Sequence, residues 1–553
     1  MKTRLLIGAV ISLAASFTHA QTTKWAVDFA NAIITRWPST INDMTGKGWE
    51  YSNGSILYGM EKVYEQTKNA DYLNYIKKYV DAYVDANGNV NYDSTVHSLD
   101  KIQPGALCVF LYKETGLQKY KTAAANLRAA LAKQPKNAEG GFWHKDSYPN
   151  QMLTDGIFMA EPFLSKYGFL CNDMEFCDST ATFQPLLLAS HVYISESKLL
   201  LHAWDQSKKA AWADPTTGLS PCVWSRGMGW FSAAMVDIIT YLPKDHPRYN
   251  DMATLLANFA EGIKNTQDPA TGLWYQVTDK GSQSDDFIES SGSGLFIYTL
   301  KKAADCGLID KSYLAVAQKG WTGLKTKITL DGQGLPVING YVGAMSALAS
   351  YALYVGQTLV ACPPSVHPHG YCAILMAASA MELQTVPKYR LSITIVGQGS
   401  VNNPSGEMFL DSGTTVSLTA TPGSNYHFSQ WTGDASGTAA TAAVTMNSEK
   451  NIAATFSQGA SIKNTSLPKG DGSVHFSLAR HAMTITFTLR SAQKVVVEIF
   501  NSDGRKVGDF TRGIFASGNH SLDLKTQGFA AGLYFIKIKY DRMMHSAPLT
   551  IFE

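Results

Sequence analysis

The sequence predicts an all-α domain, built as a closed ring of six helical hairpins, followed by two small all-β domains. Residues 21–384 carry apolar side chains at three- and four-residue spacing, which is the period of an amphipathic helix. In 389–457, and again in 475–553, apolar residues alternate with polar ones, as they do in a half-buried strand. A chain of 553 residues is also too long for a single hydrophobic core.

A short glycine-containing loop recurs in the helical region and predicts the hairpins. The loops are "TGKGWEY", "ANGNVNY", "AEGGFWH", "PTTGLSPCVW", "PATGLWYQV" and "DGQGLPVI", with glycines at Gly48, Gly88, Gly141, Gly218, Gly272 and Gly334. Their spacing averages about 57 residues, which suits two helices and two loops of ordinary length. Six hairpins in succession predict a ring with all six loops at one end. The alternative is chance recurrence of glycine loops in a helical protein.

The first twenty residues, "MKTRLLIGAVISLAASFTHA", predict a signal peptide covering residues 1–20. Lys2 and Arg4 precede an apolar run that ends in a small-residue cleavage site. The protein is therefore expected to be exported, whether secreted, periplasmic or on the cell surface. No later segment is long and apolar enough to span a membrane. The net charge of +2, without a basic cluster, argues against nucleic-acid binding.

The seven cysteines have irregular spacing, which argues against a disulfide framework or a zinc site. Cys171 and Cys177 flank a short loop and are placed to pair in an oxidising compartment. The sequence has no HExxH, EF-hand, P-loop or dinucleotide-binding motif in a proper context. We therefore expect neither a metal nor a cofactor.

The segment "QMLTDGIFMAEPF" places a carboxylate in an apolar stripe. On a helix Asp155 shares one face with Met152 and Met159. A buried carboxylate costs several kcal/mol unless it is paired, hydrogen-bonded or open to a wet cavity. A position at the rim of a cleft would explain Asp155.

Further polar and aromatic residues lie on or just beyond the same loops. They are Asp100, His144, His202, Trp224, Arg226 and Trp230. Tryptophans near an arginine suit a site that stacks on a sugar ring and neutralises a carboxylate. Each also has a structural alternative. Asp100 would suit a helix cap or turn, the tryptophans would suit the core, and Arg226 would suit pairing with a structural acid.

At these residues the sequence resembles the unsaturated rhamnogalacturonyl hydrolases of glycoside hydrolase family 105, which are related to the unsaturated glucuronyl hydrolases of family 88. The resemblance runs from about Trp25 to Leu383 and rests on "LDKIQPG", "GGFWHKDSYPNQMLTDGIFMAEPFL", "HAWDQSKKAAWADPTTGLSPCVWSRGMGWF", "ESSGSGLFIYTL" and "HGYCAILMAASAMEL". It implies a six-hairpin (α/α)6 barrel, in agreement with the loop count.

The resemblance also implies roles for individual residues. Asp155 matches the catalytic acid and base, and Asp100 matches a second active-site aspartate. The residues matching the sugar pocket are Tyr51, His144, His202, Trp224, Arg226 and Trp230. One departure is Glu161, which with Ala160 stands where small residues are expected and puts the fine substrate preference in question.

The implied substrates are unsaturated uronic-acid oligosaccharides that polysaccharide lyases release from pectin (rhamnogalacturonan). The implied reaction is hydration of the C4=C5 double bond of the terminal uronyl residue. One carboxylate acts first as acid and then as base, unlike the carboxylate pair of ordinary glycosidases. Two rivals remain: a polysaccharide lyase on the same ring, and an inactive ring that only binds carbohydrate at the cell surface.

The two tail regions resemble modules of exported bacterial proteins. Residues 389–457, with "GQGSV" and "TATPGSNYHFSQWTGD", resemble divergent repeat modules of cell-surface proteins, and Trp431 is expected in their core. Residues 475–553, with "GLYFIKIKYD", resemble C-terminal β-sandwich domains that are similar to type IX secretion sorting domains. The implied partner of this last domain is secretion or cell-surface machinery.

Overall fold

The computed structural model describes residues 24–171, 173–363, 367, 369–383, 388–402, 406–424, 426–458, 474–479, 482–525, 529, 532–540 and 543–551. The predicted signal peptide, residues 1–20, lies outside the described residues. The chain divides between Ser457 and Gln458 into two compact units.

Twelve long helices are present in the part of the first unit that the structure describes. They are α1 (Trp25–Arg36), α2 (Tyr51–Thr67), α3 (Ala70–Asp81), α4 (Gly105–Thr115), α5 (Gln118–Leu131), α6 (Thr154–Cys171), α7 (Met174–Val192), α8 (Ser225–Ile239), α9 (Tyr249–Asn265), α10 (Ser290–Asp305), α11 (Tyr313–Lys325) and α12 (His369–Glu382). The even-numbered helices form an inner layer and the odd-numbered helices an outer one.

The inner helices close into a ring. Successive inner helices contact each other from α2 through to α12, and α12 contacts α2 again. Each inner helix also packs against one outer helix, and α1 pairs with α12 to join the two ends of the domain. Inner helices are surrounded by protein on every side, and all residues of α8 are buried. The predicted (α/α)6 barrel of six helical hairpins is therefore confirmed.

The loops that run from each outer helix to the next inner helix gather at one end of the ring. The left-handed backbone conformation, with φ between 72° and 89°, occurs in them at Gly48, Gly88, Gly140, Gly218, Gly272 and Gly334. The prediction named Gly141 instead of Gly140 in the third loop. Gly141 is small for another reason, because a Cβ there would lie 2.2 Å from Sδ of Met152.

Short strands and turns connect the barrel helices at the loop end. The strands are β1 (Gln151–Leu153), β2 (Tyr193–Ile194), β3 (Leu199–Leu200), β4 (Ala203–Asp205), β5 (Ile328–Leu330), β6 (Pro336–Val342) and β7 (Leu359–Cys362). β1 pairs antiparallel with β4, β2 with β3, and β6 lies between β5 and β7. Short helices cover Asn42–Thr45 and Tyr351–Val355, and a 3-10 turn covers Leu99–Lys101.

Pairing of Cys171 with Cys177, which the sequence left open, is not found. Both Cys171 and Cys177 are free thiols. Cys171 ends α6, whereas Cys177 lies within α7 and is buried against Gly168, so the two residues belong to different packing environments. Among the described residues no helix has the length and apolar composition that a membrane crossing needs.

The first unit continues into an all-β module. Its strands are β8 (Lys388–Val396), β9 (Gly399–Val401), β10 (Gly406–Asp411), β11 (Thr415–Pro422), β12 (Tyr426–Gly433), β13 (Thr441–Thr445) and β14 (Lys450–Gln458). They form sheets with strand orders β10-β8-β14-β12 and β13-β11-β9. Trp431 lies in the core between them, as predicted, and Phe169 from the end of α6 packs against that core.

The second unit is also all-β. Its strands are β15 (Val474–Ala479), β16 (Ala482–Leu489), β17 (Gln493–Asn501), β18 (Lys506–Phe515), β19 (Gly518–Lys525), β20 (Gly532–Tyr540) and β21 (Met543–Ile551). The strand orders are β15-β16-β19 and β18-β17-β20-β21. One core contains side chains from both sheets, among them Ile485, Val497 and Ile538, so the unit is a small sandwich.

Candidate active site

Asp155 occupies the first turn of α6, at the loop end of the ring. The preceding strand β1 pairs with β4, and the Thr154 N–H and hydroxyl both donate to the carbonyl of His202 at 3.0 Å. These bonds fix the start of α6 beside His202. As a result Nε2 of His202 lies 3.9 Å from Oδ1 of Asp155.

The carboxyl of Asp155 is mostly withdrawn from solvent. Its side chain is 15% exposed, and Oδ1 is buried without a hydrogen-bond partner among the described residues. Burial raises the pKa of Asp155 because the ionised form loses hydration, and the charge of His144 lowers it less, so the net shift is upward. Asp155 therefore has the environment of a general acid.

His202 is buried and neutral. Burial, followed by the charges of Arg226 and His144, lowers its pKa to about 3. The Tyr354 hydroxyl accepts from the Leu348 N–H at 3.3 Å and lies 2.8 Å from Nδ1 of His202. In the tautomer in which that hydroxyl donates to Nδ1, Nε2 is the protonated nitrogen and faces Asp155.

Asp100 and His144 form a second pair beside Asp155. Nε2 of His144 lies 3.1 Å from Oδ1 of Asp100, and the Lys145 ammonium lies 3.9 Å from Oδ2. Burial raises the pKa of Asp100, but His144 and then Lys145 lower it more, so the net shift is downward. Asp100 is thus favoured in its ionised form while Asp155 resists ionisation, and a pair divided in this way agrees with the prediction of Asp155 as the acid.

The close packing of His144 explains why a glycine, Gly156, follows Asp155. A Cβ at this position would lie 2.9 Å from Nδ1 of His144. The absence of a side chain lets the His144 ring lie directly against the first turn of α6. Gly227 acts similarly in α8, where a Cβ would lie 2.6 Å from Oγ1 of Thr154.

Arg226 is engaged with protein groups on three sides. Its guanidinium donates to the carbonyls of Val342 and Gly343, and one nitrogen lies 3.5 Å from Oε1 of Glu289. Its Nε has no hydrogen-bond partner in the described part of the chain. The structural alternative for Arg226, pairing with an acid, therefore describes this geometry, and binding of a substrate carboxylate stays a prediction.

The two predicted tryptophans differ in their surroundings. The Trp224 ring lies 4.5 Å from the His202 ring and 4.7 Å from the Arg226 guanidinium carbon, so it supports both. The Trp230 ring is 1% exposed and packs on Phe158 at 4.4 Å, one turn beyond Asp155. The structure therefore places Trp230 in the core, beneath the acid, and its predicted contact with sugar stays untested.

Tyr51 completes the site from α2. Its hydroxyl lies 3.2 Å from Nε2 of His369, at the start of α12. Burial lowers the pKa of His369 well below its ordinary value, with Arg226 adding to the effect. His369, Tyr354 and Glu289 were not predicted as site residues, although Glu289 and His369 lie in the "ESSGSG" and "HGYC" motifs.

A cavity of about 220 Å³ opens next to these groups. It is lined by Ser147, Tyr148, Gln151, Leu153, Ala210, Ala211, Trp212, Ser346 and Ala347. Leu153 is two residues before Asp155, and the Tyr148 ring lies 6.1 Å from the His144 ring. The cavity therefore lies near Asp155, although Asp155 does not line it, and its size suits part of a carbohydrate.

A closed ring of helical hairpins with a desolvated aspartate at its loop end agrees with a class of glycoside hydrolase. The family model described as Glycosyl Hydrolase Family 88 matches residues 25–384, and the chain belongs to this family. The solved structure of a glycoside hydrolase of family 105 from C. acetobutylicum is 32% identical to this chain in sequence and matches it with a TM-score of 0.61. The match covers 65% of this chain and 99% of that one.

Relatives of known sequence agree with this assignment. Unsaturated rhamnogalacturonyl hydrolase YesR of Bacillus subtilis is 25% identical over 295 residues, covering 52% of this chain and 78% of the relative. Protein Atu3128 of Agrobacterium fabrum is 31% identical over 190 residues, covering 33% of this chain and 79% of the relative. The resemblance on which the site residues were predicted is thereby confirmed.

The tail modules match families of their own. A divergent InlB B-repeat domain matches residues 389–460, and a secretion system C-terminal sorting domain matches residues 479–549. Both resemblances are therefore confirmed.

Proposed function

We propose that the enzyme removes a 4,5-unsaturated galacturonyl or glucuronyl residue from the non-reducing end of lyase-generated rhamnogalacturonan oligosaccharides. The observation that carries this proposal is the carboxyl of Asp155, whose pKa is raised by burial and whose Oδ1 lacks a partner among the described residues. The name of the relative YesR, an unsaturated rhamnogalacturonyl hydrolase, supports the pectin substrate.

The proposed reaction needs one carboxyl group. Protonated Asp155 transfers its proton to C4 of the double bond, and water adds at C5. The Asp155 carboxylate then accepts a proton from that water, which restores the acid. The resulting C5 hemiketal opens to a ketone, and the hemiacetal left at C1 releases the remaining sugar. The Nε2–H of His202, 3.9 Å from Oδ1, is placed to stabilise the carboxylate between the two proton transfers.

The neighbouring residues bind the unsaturated ring. Asp100 and His144 contact ring hydroxyls, and Tyr51 contributes a hydroxyl from α2. Trp224 packs against Arg226, which donates hydrogen bonds to the carbonyls of Val342 and Gly343. Arg226 and this backbone segment form the side of the pocket that binds the carboxylate of the substrate. Trp230 acts from below, through its packing on Phe158.

The cavity beside the acid accepts the adjoining sugar. Trp212 and Tyr148 are half-buried aromatic residues, and Leu153 and Ala347 add apolar surface. A wall of this kind favours a sugar with an apolar edge, such as the methyl group of the 6-deoxy sugar rhamnose. Export completes the proposal: residues 1–20 direct the chain out of the cytoplasm, and the C-terminal sorting domain directs it to type IX secretion machinery.

The test is the direction and substrate dependence of ultraviolet absorbance. The enzyme is expected to remove the absorbance of an unsaturated galacturonyl–rhamnose disaccharide faster than that of an unsaturated glucuronan disaccharide. Saturated rhamnogalacturonan should give no change. If absorbance instead rises on the saturated polymer, the enzyme is a lyase. Tight binding of the disaccharide without turnover would indicate a carbohydrate-binding protein.

A further inference from the structure

Glu161 is a buried carboxyl that the proposed reaction does not use. It lies in α6, six residues beyond Asp155, and its side chain is 1% exposed. Within the described chain its Oε2 has no hydrogen-bond partner. Burial raises its pKa well above the ordinary value, which favours the neutral form of the group. An unpaired buried carboxyl costs stability, which raises the question of what it contacts.

A small cavity of about 10 Å³ lies between Glu161 and the back of the active site. Its lining includes Glu161, His144, Gly156 and Gln184. This volume is close to the smallest that accommodates one water molecule. A buried water also needs two to four polar partners, so the polar atoms at the cavity decide whether it is hydrated.

Besides Glu161, His144 is a second lining residue with a buried polar atom that has no partner among the described residues. Its Nε2 is engaged with Asp100 at 3.1 Å, whereas Nδ1 is buried without a partner in the part of the chain that the structure describes. Nδ1 lies against Gly156, which lines the same cavity. The cavity is thus lined by two residues, His144 and Glu161, that each have a buried side-chain atom without a hydrogen-bond partner among the described residues.

We propose that this cavity binds one ordered water, which accepts a hydrogen bond from Nδ1–H of His144 and donates one to the Glu161 carboxyl. Glu161 is then a positioning residue that acts on the active site through the water and the imidazole. Its neutral state matters, because a neutral carboxyl provides an acceptor without placing a second negative charge near Asp155.

The water would hold His144 in its charged form. Burial lowers the pKa of His144, but the Asp100 carboxylate raises it more, so the net shift is upward. The other charged groups that face His144 are Asp155 from α6, which raises its pKa, and Lys145, which lowers it. A charged imidazole has two N–H donors and needs an acceptor for each. Asp100 serves Nε2, and the proposed water serves Nδ1.

The test is an NMR titration of the His144 ring in the full-length protein, assigned by comparison with His144→Gln. Glu161→Met removes the acceptor at similar size and is expected to lower the pKa of His144 by about one unit. Glu161→Gln retains a carbonyl acceptor and should restore the wild-type value. Asp178→Asn is the matched control, since Asp178 is another buried carboxyl with a raised pKa but lies outside this cavity. It should leave the His144 titration unchanged.

The kinetic consequence rests on the proposed role of Asp155. The charge of His144 lowers the pKa of Asp155, so Glu161→Met should move the alkaline limb of kcat/KM to higher pH. The titration does not depend on turnover and therefore fails or succeeds separately from the proposed function. An unchanged His144 pKa in Glu161→Met overturns the proposal. If that variant does not fold, a high-resolution crystal structure of the wild type decides, and a dry cavity overturns it.

Discussion

Buried carboxyls at the two ends of the helical ring differ in their partners. At the end opposite the six glycine loops, here called the closed end, Asp237 in the last turn of α8 accepts three hydrogen bonds. The donors are the hydroxyls of Tyr58 and Tyr298, at 2.5 and 2.6 Å, and the Lys302 ammonium, at 2.5 Å. At the loop end, Oδ1 of Asp155 has no partner among the described residues. Both carboxyls lie on inner helices and both lose hydration on folding.

Their pKa values diverge accordingly. Burial raises the pKa of Asp237, but Lys302 and then Lys62 lower it more, to about 2. Burial raises the pKa of Asp155 and the nearby charges do not offset it. A second ion pair at the closed end, between Glu61 and Lys166, joins α2 to α6 across the ring. Buried carboxylates at one end thus have cationic partners, whereas the carboxyl at the other end has an oxygen without a partner among the described residues, as the proposed role of Asp155 requires.

Asp155→Asn should have the largest effect on activity. The amide occupies the same space but has no acidic proton to transfer, so kcat should fall by about 10³-fold. The thermal midpoint should stay the same or rise, because an uncompensated buried acid is removed. Kinetics on an unsaturated disaccharide and calorimetry on the same sample check both parts. Wild-type turnover in this variant would contradict the assignment of the acid.

Asp237→Asn should show the reverse pattern at the closed end. The change leaves the largely buried Lys302 without its anionic partner, and it should lower the free energy of unfolding by about 3 kcal/mol. The activity per folded molecule should remain within about twofold of the wild type, since Asp237 lies in the last turn of α8 whereas Asp155 lies in the first turn of α6. Denaturant titration measures the stability. A loss of turnover in the folded variant would show that the two ends are coupled.

Arg226→Ala should mainly raise KM, by about tenfold, with a smaller change in kcat. The guanidinium is proposed to bind a carboxylate that is present in both the ground state and the transition state. Because the variant also leaves Glu289 buried without its cation, a fall in thermal midpoint should accompany the kinetic change. An unchanged KM together with a lower midpoint would assign Arg226 a purely structural role.

Trp212→Ala tests the cavity beside the acid. Loss of the ring should raise KM for an unsaturated disaccharide by about fivefold, because apolar contact with the adjoining sugar is lost. The methyl glycoside of the unsaturated uronic acid is the matched control substrate, since it does not reach the cavity. Equal effects on the two substrates would show that Trp212 acts on the acid and not on the second sugar.

The smallest expected effect is in the pH dependence of unfolding, where Asp155 and Asp237 should contribute to stability in different pH ranges. The pKa of Asp155 is raised on folding, so its contribution is fully present below about pH 4 and is lost as the pH rises through the folded pKa. The pKa of Asp237 is lowered to about 2, so its contribution is present above about pH 4 and is lost as the pH falls through 2. Unfolding curves of each Asn variant against the wild type should diverge in those two separate windows.

The sequence was sufficient to predict the ring of helices but not the side-chain partners within it. Glycines that need a left-handed backbone, such as Gly48 and Gly218, have a local signature, and they predicted six hairpins. Asp155 was found because a carboxylate in an apolar stripe is anomalous by itself. By contrast, the partner of Arg226 is Glu289, 63 residues away, and helical periodicity carries no information on such long-range contacts.

Glu161 illustrates the same limit. Its position, where small residues are expected, was visible as a departure from the family pattern, but whether it faced solvent or the interior depended on how α6 packs against its neighbours. The structure buries it at a cavity shared with His144. Cys171 and Cys177 were close in sequence, yet the end of α6 and the packing of α7 keep both thiols free.

The most direct test of the central claim is the reaction in heavy water with an unsaturated galacturonyl–rhamnose disaccharide. If Asp155 protonates the double bond, early product should carry deuterium at C4, the ultraviolet absorbance should disappear with each turnover, and Asp155→Asn should do neither. Release of an unsaturated monosaccharide that keeps its absorbance and contains no deuterium would contradict the account, because it would place the chemistry at the anomeric carbon.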